Sequence, residues 1–327
     1  MAGWNYQWIS QLCFTPDSWT APCDVLRIPP VANSTNTTVD QVRRLVGTLP
    51  ADREAPMFVF DAGYDPIAIS HELAETRAQI LCRIRDDRVF HHPAPPRPNR
   101  PADTGGRPPR HGPRHKCSDS STWSEPTEHL VADDPRYGCV TVTAWADLHP
   151  RLSGRGHWIN HDVLPIVAGT VIRVDVEHLP RPTARAKKTL WLWWSGPGRP
   201  DLDLCWRAYL RRFDIEHSFR FAKNTLGWTT PSVCTPEQAD RWTWLTVAAL
   251  TQLRLARHLV DDHRLPGARL RPPHQLTPAR VRRGFRRLGA HLGTPARPPK
   301  PSRAGPGRPK GTRRPPRTRH PAIKKAA

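Results

Sequence analysis

The stretch YLRRFDIEHSFRFAK, from Tyr209 to Lys223, carries a tyrosine, an arginine, a glutamate and a lysine at fixed offsets. If the stretch is one helix, Tyr209, Arg212, Glu216 and Lys223 share a face, because positions i, i+3, i+7 and i+14 align there. Arg220 lies on the same face, one turn after Glu216. The pattern therefore frames one carboxylate with an arginine four residues before it and another four residues after it.

Two interpretations of Glu216 are open. The first is a salt-bridged surface helix, in which each i,i+4 pair stabilises the helix by about 0.2–0.5 kcal/mol. That interpretation explains Arg212 and Arg220 but gives Tyr209 and Lys223 no role. The second is a metal-binding carboxylate beside cations that hold phosphates. Phosphodiester cleavage by two divalent ions needs several converging carboxylates, and arginine and lysine bind the flanking backbone.

Positive charge is concentrated at the end of the chain. The 327 residues carry a net charge of +21, and the region from His263 onwards contains 19 Lys or Arg and no Asp or Glu. The first 262 residues therefore carry only +2. A nearly neutral body with a cationic tail is typical of a protein that binds a polyanion, and nucleic acid is the expected partner. The alternative is a tail that only keeps the protein soluble.

The seven cysteines signal neither a disulfide framework nor a zinc ribbon, because no Cys-x-x-Cys occurs. A set of His111, His115, Cys117 and Cys139 can be drawn, but its spacing fits no common zinc module. No apolar run reaches membrane length. We therefore expect a cytoplasmic protein in a reducing compartment, with no membrane partner.

The order of elements predicts an α/β fold. Residues 1–90 read as strand, helix, strand, helix, strand, with a capping box formed by Thr37 and Asp40. The segment APMFVFDAGYD provides the middle strand, which ends at Asp61. The other predicted strands are Asn5–Leu12, Asp24–Ile28 and Gln79–Arg85, and the predicted helices are Thr37–Leu49 and Pro66–Ala78.

Four further regions follow along the chain. Residues 91–118 form a Pro/Arg-rich linker, 119–200 a mostly β insertion, 201–262 a helical part, and 263–327 a basic Pro/Arg-rich tail, disordered from about Gly293. Thr-Pro pairs mark two helix starts. The predicted strands are Tyr137–Trp145, Leu164–Leu179 and Thr189–Ser195, and the predicted helices are Leu202–Leu226, Thr235–Val260 and Thr277–Leu288.

The pattern Tyr-x2-Arg-x3-Glu-x6-Lys resembles the signature around the catalytic glutamate in a branch of bacterial insertion-sequence DDE transposases. The chain matches it at all four positions, from Tyr209 to Lys223. Other segments are also similar to this branch: FDAGYD, GTVIRVDV, WLWWS, LTPARVRRGF and PKPSRAGPGRPKG. The resemblance covers nearly the whole chain.

The resemblance implies an RNase H-like catalytic domain interrupted by a β insertion. It also implies Mg²⁺-dependent (or Mn²⁺-dependent) DNA cleavage and strand transfer, acting on insertion-sequence ends and target DNA. A homodimer on DNA and a location at the bacterial nucleoid follow from the same family. The implied catalytic and metal-binding residues are Asp61 and Glu216, and the implied DNA-binding residues are Tyr209, Arg212, Arg220, Lys223, Arg308, Lys310, Arg313 and Arg314.

Asp61 resembles the second aspartate of the family, because it follows two strands and a helix and precedes another helix. The alternative is an ordinary aspartate at a strand end that caps the helix beginning at Pro66. The first catalytic aspartate is expected before the strand Asn5–Leu12, where only MAGW stands, and Asp17 and Asp24 follow that strand.

We therefore expect a truncated family member that lacks the first strand of the fold and exposes a sheet edge. The two-metal site is expected only in the complete family member, so this chain alone should not cut DNA.

A non-catalytic DNA-binding protein that acts through its basic tail remains the alternative function. The segments GPGRPKG (Gly305–Gly311) and GGRPPRHG (Gly105–Gly112) each contain a Gly-Arg-Pro core. Such a core resembles a minor-groove hook, in which an extended arginine enters a narrow groove. Binding to phosphates without sequence preference is the simpler interpretation of the same residues.

Overall fold

The computed structural model describes residues 3–15, 17–95, 109–180, 187–263 and 265–292. These residues form six α-helices and ten strands. The helices are α1 (Ser34–Thr48), α2 (Pro66–Glu72), α3 (Leu202–Arg211), α4 (Asp214–Asn224), α5 (Pro236–Leu255) and α6 (Pro278–Leu292). The strands are β1 (Asn5–Gln11), β2 (Ala21–Ile28), β3 (Met57–Phe60), β4 (Gln79–Ile84), β5 (Val89–His91), β6 (Arg114–Lys116), β7 (Glu128–Asp134), β8 (Gly138–Leu148), β9 (Gly169–Val176) and β10 (Thr189–Ser195).

The chain divides into two compact units. Residues from Val31 to Phe213 form one, which we call the sheet unit. The described residues up to Pro30 and from Asp214 onwards form the other, the hairpin–helix unit. These units cut across the ranges drawn from the sequence, because residues 1–90 contribute strands to both. The predicted mixed α/β class is confirmed.

The sheet unit is built on a six-stranded mixed sheet in the order β3-β4-β10-β9-β8-β7. Strands β3 and β4 are parallel, with Phe58 opposite Ile80, and the other neighbours are antiparallel. The strands predicted as an insertion therefore continue the same sheet as β4. Strand β3 lies at one edge and β7 at the other. Strands β5 and β6 form a separate antiparallel pair, in residues where the sequence predicted no strand.

Strand β10, with the sequence TLWLWWS, shows how the sheet buries both faces. Trp191 and Trp193 belong to one buried cluster, while Leu192 and Trp194 belong to the other. This alternation follows from the two-residue repeat of a strand. The indole N–H of Trp193 donates to the Ser70 hydroxyl at 2.9 Å, which satisfies its one polar atom in the core.

The hairpin–helix unit packs an antiparallel hairpin of β1 and β2 against helices. Trp8 and Val25, from the hairpin, share a buried cluster with Val247 and Leu250 of α5. A second cluster surrounds Trp19, whose indole N–H donates to the Leu276 carbonyl at 2.7 Å. Each contact joins segments far apart in sequence, so the unit depends on long-range packing.

Helix α1 begins three residues before the predicted start. The side chain of Asn33 caps it, accepting a hydrogen bond from the Thr35 N–H at 2.8 Å. The predicted capping box of Thr37 and Asp40 is wrong, because the Thr37 hydroxyl lies inside the helix and donates to the Asn33 carbonyl at 3.0 Å. Asparagine is among the strongest N-cap residues, so the cap forms at the first suitable residue.

The Thr-Pro start of α5 is confirmed. Thr235 Oγ1 accepts a hydrogen bond from the Gln238 N–H at 3.3 Å, and Pro236 is the first helical residue. The Gln238 side chain accepts from the Cys234 N–H at 3.0 Å. The helix ends at Leu255, five residues before the predicted end.

The single helix predicted through Tyr209 and Lys223 is wrong. Helix α3 ends at Arg211 and α4 begins at Asp214. The Arg212 N–H donates to both the Ala208 and the Tyr209 carbonyls, at 2.9 and 3.2 Å, which tightens the last turn. Acidic residues in the first turn then favour a new helix start, since they complement the helix dipole. Periodicity cannot detect this break. Only Arg212 and Phe213 separate the two helices, so the spacing of polar and apolar residues across the break stays close to that of one helix.

None of the described helices is both long enough and apolar enough to span a membrane. Two predictions concern residues outside the described ranges: the disorder of the tail from Gly293, and part of the Pro/Arg-rich linker.

Candidate active site

Asp61 directly follows β3, at the carboxyl end of a parallel strand pair. Its Oδ1 accepts a hydrogen bond from the Gly63 N–H at 2.8 Å. A Cβ added to Gly63 would lie only 3.0 Å from that oxygen, so glycine suits the close approach. The side chain of Asp61 is 48% exposed, which leaves its carboxylate accessible to a ligand.

The helix after β3 is capped by Asp65 and not by Asp61. Asp65 Oδ1 accepts from the N–H groups of Ile67 and Ala68, at 3.1 and 3.2 Å. The alternative interpretation of Asp61, as the residue that caps the helix at Pro66, is therefore wrong. Its carboxylate has no structural task in that helix.

Arg212 brings a positive charge to Asp61. One guanidinium nitrogen, Nη1, lies 3.9 Å from Asp61 Oδ2, and the side chain of Arg212 is 22% exposed. The Nε atom of Arg212 is buried and has no hydrogen-bond partner among the described residues. A pair this long and open contributes little to stability, about 0–1 kcal/mol. Both groups can therefore interact with a third.

The aromatic ring of Tyr209 lies next to the guanidinium group of Arg212. The guanidinium carbon of Arg212 lies 5.9 Å from the centre of the Tyr209 ring. Tyr209 is only 8% exposed and belongs to a buried cluster with strands of the sheet. Its burial leaves little of its surface accessible to a ligand.

Two further residues surround Asp61 that the sequence analysis did not single out. The Tyr64 ring packs on Phe60 with ring centres 5.0 Å apart, and burial raises the pKa of Tyr64, with the Asp61 charge adding to the shift. The Cys82 thiol donates to the Asp61 carbonyl at 3.2 Å, and burial raises the pKa of Cys82 to about 12. Such a thiol stays protonated and inert. Only the tyrosine inside FDAGYD had a signal in the sequence.

In the hairpin–helix unit, α4 displays Glu216, Arg220 and Lys223 on one exposed face. The opposite face is buried, and there the Ser218 hydroxyl lies 2.8 Å from the Thr20 hydroxyl. No ion pair joins Glu216 to Arg220 in the part of the chain that the structure describes. The salt-bridge interpretation therefore fails for that pair.

Lys223 has an aromatic neighbour. Its Nζ lies 5.8 Å from the centre of the Trp228 ring, and the Trp228 indole donates to the Thr243 hydroxyl at 3.0 Å. The ammonium group of Lys223 therefore lies within the range of a cation–π contact, while the residue as a whole is exposed.

The structure thus brings the predicted residues together in two sets. Asp61, Tyr209 and Arg212 meet in the sheet unit, and Glu216, Arg220 and Lys223 share a face in the hairpin–helix unit. The predicted tail residues lie outside the described residues: Arg308, Lys310, Arg313 and Arg314.

Within the described ranges, no group of three or more His, Cys, Asp or Glu side chains is arranged to hold a metal ion. Asp61 offers one accessible carboxylate in its unit, and Glu216 offers one in the other. Magnesium requires several oxygen ligands in near-octahedral geometry. Neither carboxylate meets that requirement with the residues of its own unit.

Part of the chain matches a known protein family. Residues 3–150 match the family model described as DDE superfamily endonuclease. The matched range contains Asp61, Gly63 and Asp65 and covers less than half of the chain. No curated protein matches the sequence. The match supports a nuclease- or transposase-type function, and its range includes the segment that carries Asp61.

Proposed function

We propose that this protein is related to the DDE-type nucleases of the transposase class, which cut DNA at insertion-sequence ends and join it to target DNA. The observation that carries the proposal is Asp61. It lies at the carboxyl end of a parallel strand, inside the family match, exposed, and without a capping task. Ligands of open α/β sheets bind at that end of the strands.

The proposal gives each side chain a role. Asp61 and Glu216 are each assigned the role of a carboxylate ligand to Mg²⁺ or Mn²⁺, the role that the family resemblance implies for them. Such a cation, when bound, polarises the scissile phosphate and lowers the pKa of an attacking water. Arg212 lies beside Asp61, and its partly exposed guanidinium group can hold a phosphate oxygen. Arg220 and Lys223 are assigned to bind the DNA backbone.

The direct test combines cation binding and nicking. Mn²⁺ binding to the full chain is measured by electron paramagnetic resonance, and nicking is measured on a supercoiled plasmid and on duplexes carrying the element's ends. We expect Asp61→Asn and Glu216→Gln each to weaken Mn²⁺ binding and to abolish any nicking.

The chain offers a matched control for each variant. Asp87→Asn removes an exposed carboxylate from the sheet unit, and Glu237→Gln removes one from the first turn of α5, where the helix dipole acts as it does on Glu216. Both controls should leave cation binding unchanged. If Asp61→Asn and Glu216→Gln behave like their controls, the proposed site is wrong.

DNA binding without cleavage is a second candidate, favoured by the 19 cations after Asp262. It predicts affinity for duplex DNA in the presence of EDTA that falls steeply as salt rises, since bound cations release counterions. Deleting residues 293–327 should flatten that dependence. An unchanged slope would show that residues 293–327 do not anchor DNA. Homodimer formation on DNA belongs to the transposase proposal, and light scattering with and without a duplex tests it.

A further inference from the structure

Helix α6 has two faces of opposite character. Its apolar residues pack into the cluster around Trp19, and Val281 at the centre of that face is fully buried. The opposite face carries exposed arginines. The buried or half-buried residues are Val281, Gly284, Phe285 and Leu288, and the exposed arginines are Arg282, Arg283, Arg286 and Arg287.

Gly284 holds α6 tightly against the unit. A Cβ at this position would lie 2.1 Å from Val260 Cγ1 and 2.9 Å from the Asp261 carbonyl oxygen. Only glycine allows so close an approach of two backbones. The arginine face therefore has a fixed direction, away from the core.

Two of the five arginines of α6 have structural partners. Arg280 pairs with Asp262, whose side chain is only 1% exposed, and also donates to the Arg269 carbonyl at 3.0 Å. Arg283 Nε donates to the His263 carbonyl at 3.1 Å. Arg282, Arg286 and Arg287 form no hydrogen bond or ion pair with the described residues.

Among the described residues, no ion pair compensates the charges of Arg282, Arg286 and Arg287. No acidic residue follows Asp262 in the sequence, and Asp262 itself is already paired with Arg280. Arg282 and Arg286 are four residues apart, a spacing at which like charges destabilise a helix. A polyanion would relieve this repulsion, because each arginine would then face a phosphate.

We infer that this arginine face of α6, formed by Arg282, Arg286 and Arg287, is a folded binding surface for the DNA backbone. With a rise of about 1.5 Å per residue, Arg282 and Arg287 are about 7.5 Å apart along the helix. Each strand of a duplex carries one phosphate per about 3.4 Å of duplex axis, so arginines spread over this length can contact more than one phosphate. The inference rests on the proposed function only in identifying the polyanion as DNA.

The surface lies inside the predicted basic tail, residues 263–327, but before the part predicted to be disordered. Its side chains project from a helix held by a packed core, so binding requires little ordering of the backbone. Contacts to phosphates position a protein on DNA and carry no sequence information directly. The arginine face of α6 should therefore add affinity equally for any duplex sequence.

The test is the salt dependence of duplex binding by the full chain, followed by fluorescence anisotropy in EDTA. The triple variant Arg282→Gln, Arg286→Gln, Arg287→Gln should lower the slope of log affinity against log salt by up to about 3, at about 0.9 per phosphate contact. At 0.1 M salt the affinity should fall on the order of 10–100-fold, equally for two unrelated duplexes.

Two controls separate charge from fold. Replacing Arg136, Arg151 and Arg155 of the sheet unit by glutamine removes the same charge from exposed positions elsewhere. Replacing the three α6 arginines by lysine keeps the charge and should keep the slope. The inference is overturned if the α6 glutamine variant changes the slope no more than the sheet-unit control, or if the lysine variant loses as much as the glutamine variant.

The outcome is independent of the active-site proposal, because EDTA removes divalent cations and nicking is not measured. A normal slope in the α6 glutamine variant refutes the binding surface and leaves Asp61 and Glu216 untouched. Tighter binding to an RNA duplex than to DNA of the same length refutes DNA as the partner of this face.

Discussion

Two aspartate–arginine pairs, one in each unit, have opposite characters. Asp262 and Arg280 form a close pair in which the aspartate side chain is 1% exposed. Asp61 and Arg212 are 3.9 Å apart, and the aspartate side chain is 48% exposed. Asp262 also accepts from the Arg271 N–H at 2.9 Å, whereas Arg212 retains a buried Nε without a partner among the described residues.

The difference separates a structural pair from one open to a ligand. A buried ion pair is destabilising to break, because the remaining charge stays buried without compensation. An exposed pair at long distance contributes little, so its arrangement is not explained by stability. The same two residue types therefore hold a helix in place in one unit and remain available for chemistry in the other.

The largest effect is expected from Asp262→Ala. Removing this carboxylate leaves Arg280 buried without a counter-charge and should lower the free energy of unfolding by about 3–5 kcal/mol. Urea unfolding followed by tryptophan fluorescence measures the loss. Asp261→Ala, at the exposed neighbouring position, is the matched control and should change stability by less than about 0.5 kcal/mol. Equal effects of the two variants would contradict the structural role of Asp262.

The second prediction concerns acid stability of the sheet unit. Burial, with the charge of His92 adding to it, lowers the pKa of His115 to about 4 from its ordinary value of 6.5. The unfolded chain therefore binds the proton more readily than the folded protein. The free energy of unfolding is therefore unaffected by protonation of His115 above about pH 6.5. It falls by on the order of 2 kcal/mol as the pH falls toward 4.

A variant isolates this contribution. Both ring nitrogens of His115 are buried without hydrogen-bond partners among the described residues, and Trp145 and Trp123 surround the ring. His115→Phe should therefore stabilise the protein and flatten the loss between pH 6.5 and 4.5, measured by urea unfolding at each pH. An unchanged pH profile would show that His115 does not titrate as its burial implies.

The third prediction tests how firmly α6 is held. Gly284→Ala should lower the free energy of unfolding by about 1–3 kcal/mol, because the added methyl group overlaps Val260 and the Asp261 carbonyl. Gly47→Ala in α1 is the control, since nothing lies within 4 Å of its added Cβ, and it should stabilise the helix slightly. Thermal unfolding by circular dichroism compares them. A stabilising effect of Gly284→Ala would mean that α6 is not packed as closely as described.

The smallest effect on stability is expected from Arg212→Gln. The free energy of unfolding should change by less than about 1 kcal/mol, since the pair with Asp61 is long and exposed. Nicking, or affinity for a short duplex with Mn²⁺, should nevertheless fall. A stability loss as large as that of Asp262→Ala would remove the distinction between the two pairs.

Much of the fold could be predicted from short-range patterns. The alternation of TLWLWWS, the Thr-Pro start of α5 and the concentration of cations after Asp262 depend on neighbours within a few residues. The sharing of one face by Glu216, Arg220 and Lys223 also follows from helical spacing alone. The helix and strand patterns among these features are retained in the described residues, because secondary-structure periodicity is a local property.

Other features depend on contacts that no local pattern records. The break between α3 and α4, the capping of α2 by Asp65 and the pairing of β5 with β6 each required knowledge of which groups meet. The same is true of Arg280, which looks like its neighbours in the sequence and differs only because the buried Asp262 lies beside it. Sequence alone determined the kinds of residues and their spacing. Tertiary structure decided which charges are paired and which remain free, because pairing depends on distance and burial between segments far apart in the chain.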